Sequence, residues 1–191
     1  MDGYYDHHPT HALEQPLALV GFVNHLTRNV AHNLAASTGL PLSLLDELVE
    51  HQLGGSAHKV IDQQGLAAWR EVEKAELAKT LRAQPPSIIA LGEGVLSDPD
   101  NMNGVLDMCE LVYLFLPVEE ACYRAGQQSA NHSASLWAEA KEIEGTNDES
   151  LRALHEGRRF NYELAHRKMD VSRRSPLDVA NHLRRQLQPT T

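Results

Sequence analysis

The chain has 191 residues, of which 42% are hydrophobic and 23% charged, and its formal charge is −9 with the histidines neutral. This length fits one domain with its own core, the negative charge disfavours nucleic acid and anionic membranes as partners, and no apolar run approaches the ~18 residues of a membrane span. The N-terminal stretch lacks the basic and apolar regions of a secretory signal, so we expect a cytoplasmic protein that binds neither nucleic acid nor membrane.

Short apolar runs alternate with helical patterns along the chain, which is typical of a parallel β-sheet with crossover helices. The predicted strands are Leu17–Val23, Leu40–Leu42, Ser87–Leu91, Glu110–Pro117 and Met169–Ser172. The predicted helices are Asn29–Thr38, Leu44–Leu53, Leu66–Arg82, one opened by Asp98 and Pro99, Val118–Gly126, Leu136–Ile143, Leu151–Leu164, and one from Ser175 through Leu187. We expect Glu110–Pro117 at the centre of the sheet, because its run is continuously apolar. The sequence predicts a three-layer α/β/α domain over residues 16–191 with about five parallel strands, after a flexible tail over residues 1–15.

Cysteines, histidines and clustered cations give weak signals of chemistry. Cys109 and Cys122 lie in separate apolar segments without CxxC spacing, so we expect both to be buried and unreactive. Histidines in the tail could bind a metal ion, but the signal is weak and a disordered tail is the favoured interpretation, so we expect no metal site; they are His7, His8 and His11. A basic cluster near the C-terminus predicts either a local anion site or a solvated helix face; it comprises Arg158, Arg159, His166, Arg167, Lys168, Arg173 and Arg174.

Several segments resemble the shikimate kinase family at matching order and spacing. These segments are LALVGF, LPLSLLDELVE, AAWREVEKAEL, LGEGVLSDPDN, LVYLFLPVEEACYRAG and RRFNY, and together they cover about residues 16–187. The resemblance implies the architecture of P-loop small-molecule kinases. In that family, ATP donates a phosphoryl group to a hydroxyl of shikimate.

The resemblance places GFVNHLTRN, residues 21–29, at the family's phosphate-binding loop GxxxxGK[ST]. In such a loop backbone N–H groups cradle the phosphates, the lysine neutralises them and the hydroxyl binds magnesium. Gly21 matches, but Leu26, Thr27 and Arg28 stand at the second glycine, the lysine and the hydroxyl. The implied nucleotide site is therefore degenerate; its residues are Gly21, Asn24, His25, Thr27 and Arg28. Since losing one preorganised donor typically costs about 10² to 10³ in rate, we expect no useful phosphotransfer.

Two other nucleotide-side positions depart from the family pattern. The first of its paired aspartates, which helps to hold magnesium, corresponds to Leu44. The lid arginines that close over ATP have no counterpart, because residues 127–136 contain neither arginine nor lysine and Asn131 and His132 stand nearest. We expect this polar stretch to be a mobile loop.

The acceptor side keeps the residues that the family uses for shikimate. The resemblance assigns Asp46 to the acceptor hydroxyl, as the catalytic residue if the protein is active, and Arg70 and Arg158 to the substrate carboxylate. It places Gly92, Glu93 and Gly94 at the family's triple-glycine turn beside the substrate. Glu93 could pair with either arginine, occupying the charge site or changing the ligand, or could point to solvent. Each of the three charged matches also has a structural explanation, as a helix first-turn acid or a surface cation.

The leading hypothesis is a ligand-binding or regulatory pseudokinase that needs no cofactor and binds a small anionic ligand such as shikimate, or a protein partner. The alternative is an active kinase of shikimate or a related hydroxy acid, which would use Mg-ATP with Arg28 serving the phosphates. A third possibility is a regulatory subunit that pairs with an active kinase.

Overall fold

The structure of the chain, a computed structural model, describes residues 11–127 and 134–189. Its strands are β1 (His11–Ala12), β2 (Leu17–Val20), β3 (Leu42–Leu44), β4 (Ile88–Ala90), β5 (Glu110–Phe115), β6 (Arg167–Asp170) and β7 (Gln188–Pro189). Its helices are α1 (Asn24–Thr38), α2 (Leu45–Leu53), α3 (Ala57–Leu81), α4 (Pro99–Met108), α5 (Val118–Gly126), α6 (Ala134–Ala140), α7 (Asn147–Glu163) and α8 (Pro176–Arg184). A 3₁₀ turn, Val95–Ser97, lies between β4 and α4.

Five strands form one parallel sheet in the order β3-β4-β2-β5-β6. Helices cover both faces, giving the predicted three-layer α/β/α architecture of a P-loop kinase. The central strand is β2 and not β5, which was expected at the centre; β5 is an interior strand next to the edge strand β6. It pairs with β2 in a register that sets Leu19 beside Val112. Every residue of β2 is fully buried, because helices pack on both sides of it.

Local sequence explains where several helices begin. Thr146 and Glu149 form a capping box at the start of α7, and Ser175 and Asp178 form another at the start of α8. The Asp98 side chain accepts hydrogen bonds from the first N–H groups of α4, ahead of its first-turn proline. These starts agree with the sequence-based prediction within a few residues.

The structure corrects two helix starts. α1 begins at Asn24 instead of Asn29, because Leu26 lies on the same buried face as Val30 and extends the helix toward β2. α3 begins at Ala57 instead of Leu66 and is interrupted at Gly65, whose φ of 85° and ψ of 161° suit only glycine. The stretch before Gly65 is polar, which concealed its helical character.

The two ends of the described chain meet in a small antiparallel pair. His11 and Ala12, within the stretch predicted as a tail, pair with Gln188 and Pro189. His7, His8 and most of the predicted mobile loop, with Asn131 and His132, lie outside the described residues.

The described residues also bear on membrane, metal and thiol chemistry. Within 11–127 and 134–189, no helix is both long and apolar enough to cross a bilayer. In the same ranges no His, Cys, Asp and Glu side chains are grouped to hold a metal ion. Cys109 and Cys122 are buried as predicted, and burial raises the pKa of the Cys109 thiol to about 12, so that thiol stays protonated and unreactive.

Candidate functional site

The candidate site lies at the carboxyl end of the parallel sheet. Asn24 follows β2, Asp46 follows β3 in the first turn of α2, and the turn Gly92–Gly94 follows β4. Because parallel strands end at the same edge, these residues meet there, at the edge where open α/β sheets bind ligands. α3, α6 and α7 bring the remaining charged side chains to this edge.

Arg70 and Arg158 share one carboxylate from their own chain. Nη2 of Arg70 donates to Oε1 of Glu139 at 2.5 Å, and Nη2 of Arg158 donates to Oε2 of the same side chain at 2.5 Å. Nη1 of Arg70 also donates to Oε2 of Glu73 at 2.5 Å. Burial opposes ionisation of Glu139, but both arginines outweigh it and hold its pKa below the ordinary value. The predicted carboxylate-binding pair therefore holds an internal anion.

Glu93 carries a fully buried carboxyl group at the turn of the site. Its side chain is 1% exposed, and neither oxygen receives a hydrogen bond from another described residue. Burial and, secondarily, the charge of Asp46 raise its pKa to about 7, against the lowering effect of Arg158 and Arg70. Glu93 thus neither points to solvent nor provides the carboxylate that the arginines bind.

Asp46 lies beside Glu93 and Glu73. Nδ2 of Asn24 donates to its Oδ2 at 2.5 Å, while desolvation raises the pKa of its carboxyl. Glu73 is 1% exposed; burial raises its pKa, although Arg70 opposes that shift. The turn above them is held from α7, where the Tyr162 hydroxyl donates to the carbonyl of Glu93.

The glycines of the turn let charged groups pack directly on the backbone. A Cβ added at Gly92 would lie 2.7 Å from Oδ1 of Asp46 and 2.9 Å from Oε1 of Glu73. A Cβ added at Gly94 would lie 2.1 Å from Nη2 of Arg70 and 2.9 Å from Oε1 of Glu139. Both positions therefore require glycine for space.

We expect Gly94→Ala to lower the free energy of unfolding by about 1 to 3 kcal/mol, the usual cost of overpacking, because the new methyl group displaces Arg70 from its two carboxylates. Gly157→Ala is the matched control, since a Cβ there meets nothing within 4 Å in the exposed middle of α7. That control should raise stability by about 0.5 to 1 kcal/mol through helix propensity. Urea denaturation of both variants measures the difference, and equal stabilities would contradict the packing argument.

On the nucleotide side, the stretch between β2 and α1 is closed. Only residues 21–23 lie between the strand and the helix. Phe22, Val23 and Leu26 belong to the hydrophobic core, and Thr27 is fully buried. The Phe22 ring lies edge-on to His155, with 5.1 Å between the ring centroids. Cζ of Arg158 lies over the Phe22 ring, 5.8 Å from its centroid. Buried apolar side chains therefore occupy the stretch that the resemblance places at the phosphate-binding loop.

The polar residues of that stretch have partners elsewhere. Arg28 donates to the Glu47 carboxylate, and Asn24 is committed to Asp46. Oγ1 of Thr27 lies 3.4 Å from the carbonyl of Val23, and the His25 ring lies 2.9 Å from the Asn29 amide. Asn24 therefore reaches the charged cluster through a hydrogen bond, and the charge of Arg28 also acts on Asp46.

The C-terminal cations do not form one anion site. Arg158 is buried in the cluster, whereas Arg159 pairs with Glu156 at 3.4 Å, Arg167 with Glu110 at 3.0 Å and Lys168 with Glu163 at 2.6 Å. Nδ1 of His166 accepts the backbone N–H of Leu111. These side chains therefore form separate contacts with neighbouring residues.

Sequence reasoning missed Glu73 and Glu139. Both had a visible signal, because each carboxylate shares a helix face with apolar residues. Glu73 lies four residues from both Trp69 and Leu77, and Glu139 lies three residues after Leu136; all three apolar side chains are buried. A charged residue on a buried face needs a partner, although the pattern does not identify it.

Comparison with known proteins gives a consistent result. Residues 28–188 match the model of the shikimate kinase family. A shikimate kinase of Paracidovorax citrulli is 32% identical over 103 residues, which span 53% of this chain and 56% of that protein. One of Enterococcus faecalis is 24% identical over 91% of this chain and 98% of its own length.

Solved structures share the fold. Shikimate kinase from Acinetobacter baumannii in complex with shikimate has a TM-score of 0.74 and 21% identity, covering 88% of this chain and 90% of that one. Shikimate kinase from Aquifex aeolicus has a TM-score of 0.72 and 22% identity, covering 88% and 93%. At these identities the structural likeness establishes the architecture, and the site has to be judged on its own residues.

Proposed function

The chain belongs to the shikimate kinase family, and from that premise we propose that it is a member without phosphotransfer activity, a ligand-binding or regulatory protein that uses the acceptor-side residues. The observation that carries this proposal is the burial of Phe22 and Val23 between β2 and α1 and of Leu26 and Thr27 in the first turn of α1. Phosphoryl transfer relies almost wholly on positioning and charge stabilisation. A chain without a phosphate-binding loop can neither position ATP nor stabilise the developing charge, so it cannot accelerate phosphoryl transfer.

The energetic cost of reopening that stretch supports the proposal. Burying a side chain of this size stabilises a fold by about 1.5 to 3 kcal/mol, so exposing Phe22, Val23 and Leu26 together would cost about 5 to 9 kcal/mol. A ligand with micromolar affinity supplies about 8 kcal/mol in total. The cost of exposing these residues would thus cancel most of the binding free energy of ATP.

The acceptor-side residues support the ligand-binding part of the proposal. Asp46, Arg70 and Arg158 meet at one edge of the sheet beside the turn Gly92–Gly94, in a family whose Acinetobacter member is described in complex with shikimate. Hydrogen bonds from Asn24 and Tyr162 fix Asp46 and the turn. A preorganised polar site suits recognition of a small molecule without further chemistry.

We expect calorimetric titration of the full chain with Mg-ATP to give no binding heat, and Mg-ATP with shikimate to give no ADP above background. Asp46→Asn is the matched background variant, since the substitution removes the acceptor-side base while leaving the nucleotide side unchanged. Equal ADP release by both proteins is the expected result. Release that Asp46→Asn abolishes would instead establish the alternative, an active kinase that uses Mg-ATP.

A further inference from the structure

We propose that Glu139 is a built-in substitute for a ligand carboxylate, so that the acceptor site takes a cyclic polyol bearing a protonated amine and no carboxylate. The inference rests on the proposed ligand-binding role of this site but does not depend on whether ATP is used. Its starting observation is the bridge from Arg70 through both oxygens of Glu139 to Arg158. Nη2 of each guanidinium group that would orient an incoming carboxylate is engaged by Glu139 before any ligand arrives.

A tethered carboxylate is a strong competitor. Because the fold of its own chain holds Glu139 beside the arginines, its effective concentration there is on the order of millimolar or higher. Each contact of Glu139 is a charge-assisted hydrogen bond, the stronger kind. Its side chain is only 20% exposed, and both arginines hold it ionised. A free carboxylate therefore has to displace Glu139 before it can bind.

The remaining polar atoms of the site need a ligand that can both donate and accept hydrogen bonds. Both oxygens of Glu93 lack a partner in the described part of the chain, and so do Nε and Nη1 of Arg158; the two side chains are 1% and 4% exposed. Oε1 of Glu73 and Oδ1 of Asp46 face the same point on Gly92. Buried polar atoms without partners are costly, and hydroxyl groups of a ligand would satisfy both kinds, because a hydroxyl group donates and accepts. An ammonium group would serve the carboxylates.

The charge balance favours an amine over a neutral polyol. Carboxyl groups outnumber guanidinium groups in the cluster, which comprises Asp46, Glu73, Glu93, Glu139, Arg70 and Arg158. Since Glu139 and Glu73 engage the arginines, Asp46 and Glu93 have no cationic hydrogen-bond partner among the described residues beside the Gly92–Gly94 turn, and burial raises the pKa of both carboxyl groups. A cation at this point would favour their ionised forms. The net charge of −9 also produces a long-range electrostatic field that attracts cations.

The charged groups of the site are partly reachable from solvent. Asp46 is partly exposed, and the side chains of Arg70 and Glu139 are 24% and 20% exposed. These groups lie directly against the backbone of Gly92 and Gly94. A ligand would therefore meet the carboxylates at the outer edge of the turn.

The test is calorimetric titration of the full chain and of Glu139→Ala with defined probes. The amine probes are glucosamine and 2-deoxystreptamine, their uncharged counterparts are glucose and myo-inositol, and the carboxylate probe is shikimate. Glu142→Ala is the matched control, because Glu142 is exposed just beyond α6 and its loss changes the net charge equally. Glu139→Gln is a second variant that keeps the side-chain volume, should Glu139→Ala fold poorly.

We expect the wild type and Glu142→Ala to bind an amine probe at least about tenfold more tightly than its uncharged counterpart and to bind shikimate weakly. Glu139→Ala or Glu139→Gln should gain at least about tenfold in shikimate affinity, as two guanidinium groups become available. Shikimate affinity that is the same in the wild type and both variants would overturn the role of Glu139. Failure of the wild type to prefer either amine probe would overturn the ligand class. Neither result bears on the ADP assay, so the proposed lack of phosphotransfer is judged separately.

Discussion

Replacing Arg70 with methionine should lower the free energy of unfolding by about 3 to 5 kcal/mol, the usual cost of leaving a buried charge without its partner. Arg70 binds Glu73, which is 1% exposed and forms no other ion pair in the described part of the chain, and it also binds Glu139. Methionine fills a similar volume but offers no positive charge. Thermal unfolding at pH 7.5 should show a drop of about 6 to 20 °C, at about 2 to 4 °C per kcal/mol for a domain of this size.

Lys74→Met is the control for that experiment, because Lys74 lies one helical turn further along α3. Its ammonium pairs with Asp98 and Asp100 at the surface, with a side chain that is 41% exposed. Solvent screens such pairs, so the melting temperature should hardly change. Equal losses in the two variants would mean that the Arg70 cluster contributes no more than a surface ion pair.

Glu93→Gln should stabilise the protein, and the gain should depend on pH. A pKa raised from 4.5 to about 7 corresponds to about 3 kcal/mol of unfolding free energy lost above pH 7, at about 1.4 kcal/mol per pKa unit. Below pH 4.5 both folded and unfolded states are protonated, so there is no loss. Between pH 4.5 and 7 the unfolded state ionises first and stability falls; above pH 7 the loss is complete.

The measurement is urea unfolding of wild type and Glu93→Gln at pH 5 and pH 8. The variant should exceed the wild type by up to about 3 kcal/mol at pH 8 and by clearly less at pH 5. The charged groups that act on the Glu93 carboxyl group are those of Asp46, Arg70 and Arg158, and the Tyr162 hydroxyl donates to the Glu93 backbone carbonyl. All four residues are unchanged in the variant. Glu71→Gln, exposed on α3, controls for the loss of a charge. A gain that is equal at both pH values would refute ionisation of Glu93 as the cause.

Sequence alone was sufficient for the layers, and the apolar run LVYLF correctly indicated a strand buried on both faces. It did not show which buried strand is central, because β2 is equally apolar and takes that place. It was not sufficient for the start of α1. Resemblance to a phosphate-binding loop suggested an irregular stretch up to Arg28, whereas Leu26 packs into the core and makes that stretch helical. Tertiary packing decided the boundary.

The candidate site was predictable in its parts but not in its pairing. Asp46, Arg70 and Arg158 could be placed from family spacing, and the structure brings them to one edge of the sheet. The partner of the arginines is Glu139, which lies 69 positions from Arg70 and 19 from Arg158. No periodic pattern links residues so far apart, so a contact of this kind becomes visible only when the chain is folded.

The short outer strands of the sheet limit how another protein can associate with it. β3 has three residues at one edge, and β6 has the sequence RKMD at the other, with Lys168 lying 4.1 Å from the ring centre of Phe115. Short strands and charged side chains are devices that prevent an extended segment from adding to a sheet. A protein partner would therefore recognise this molecule through side chains on its helices and loops, and strand addition or edge-to-edge aggregation is disfavoured.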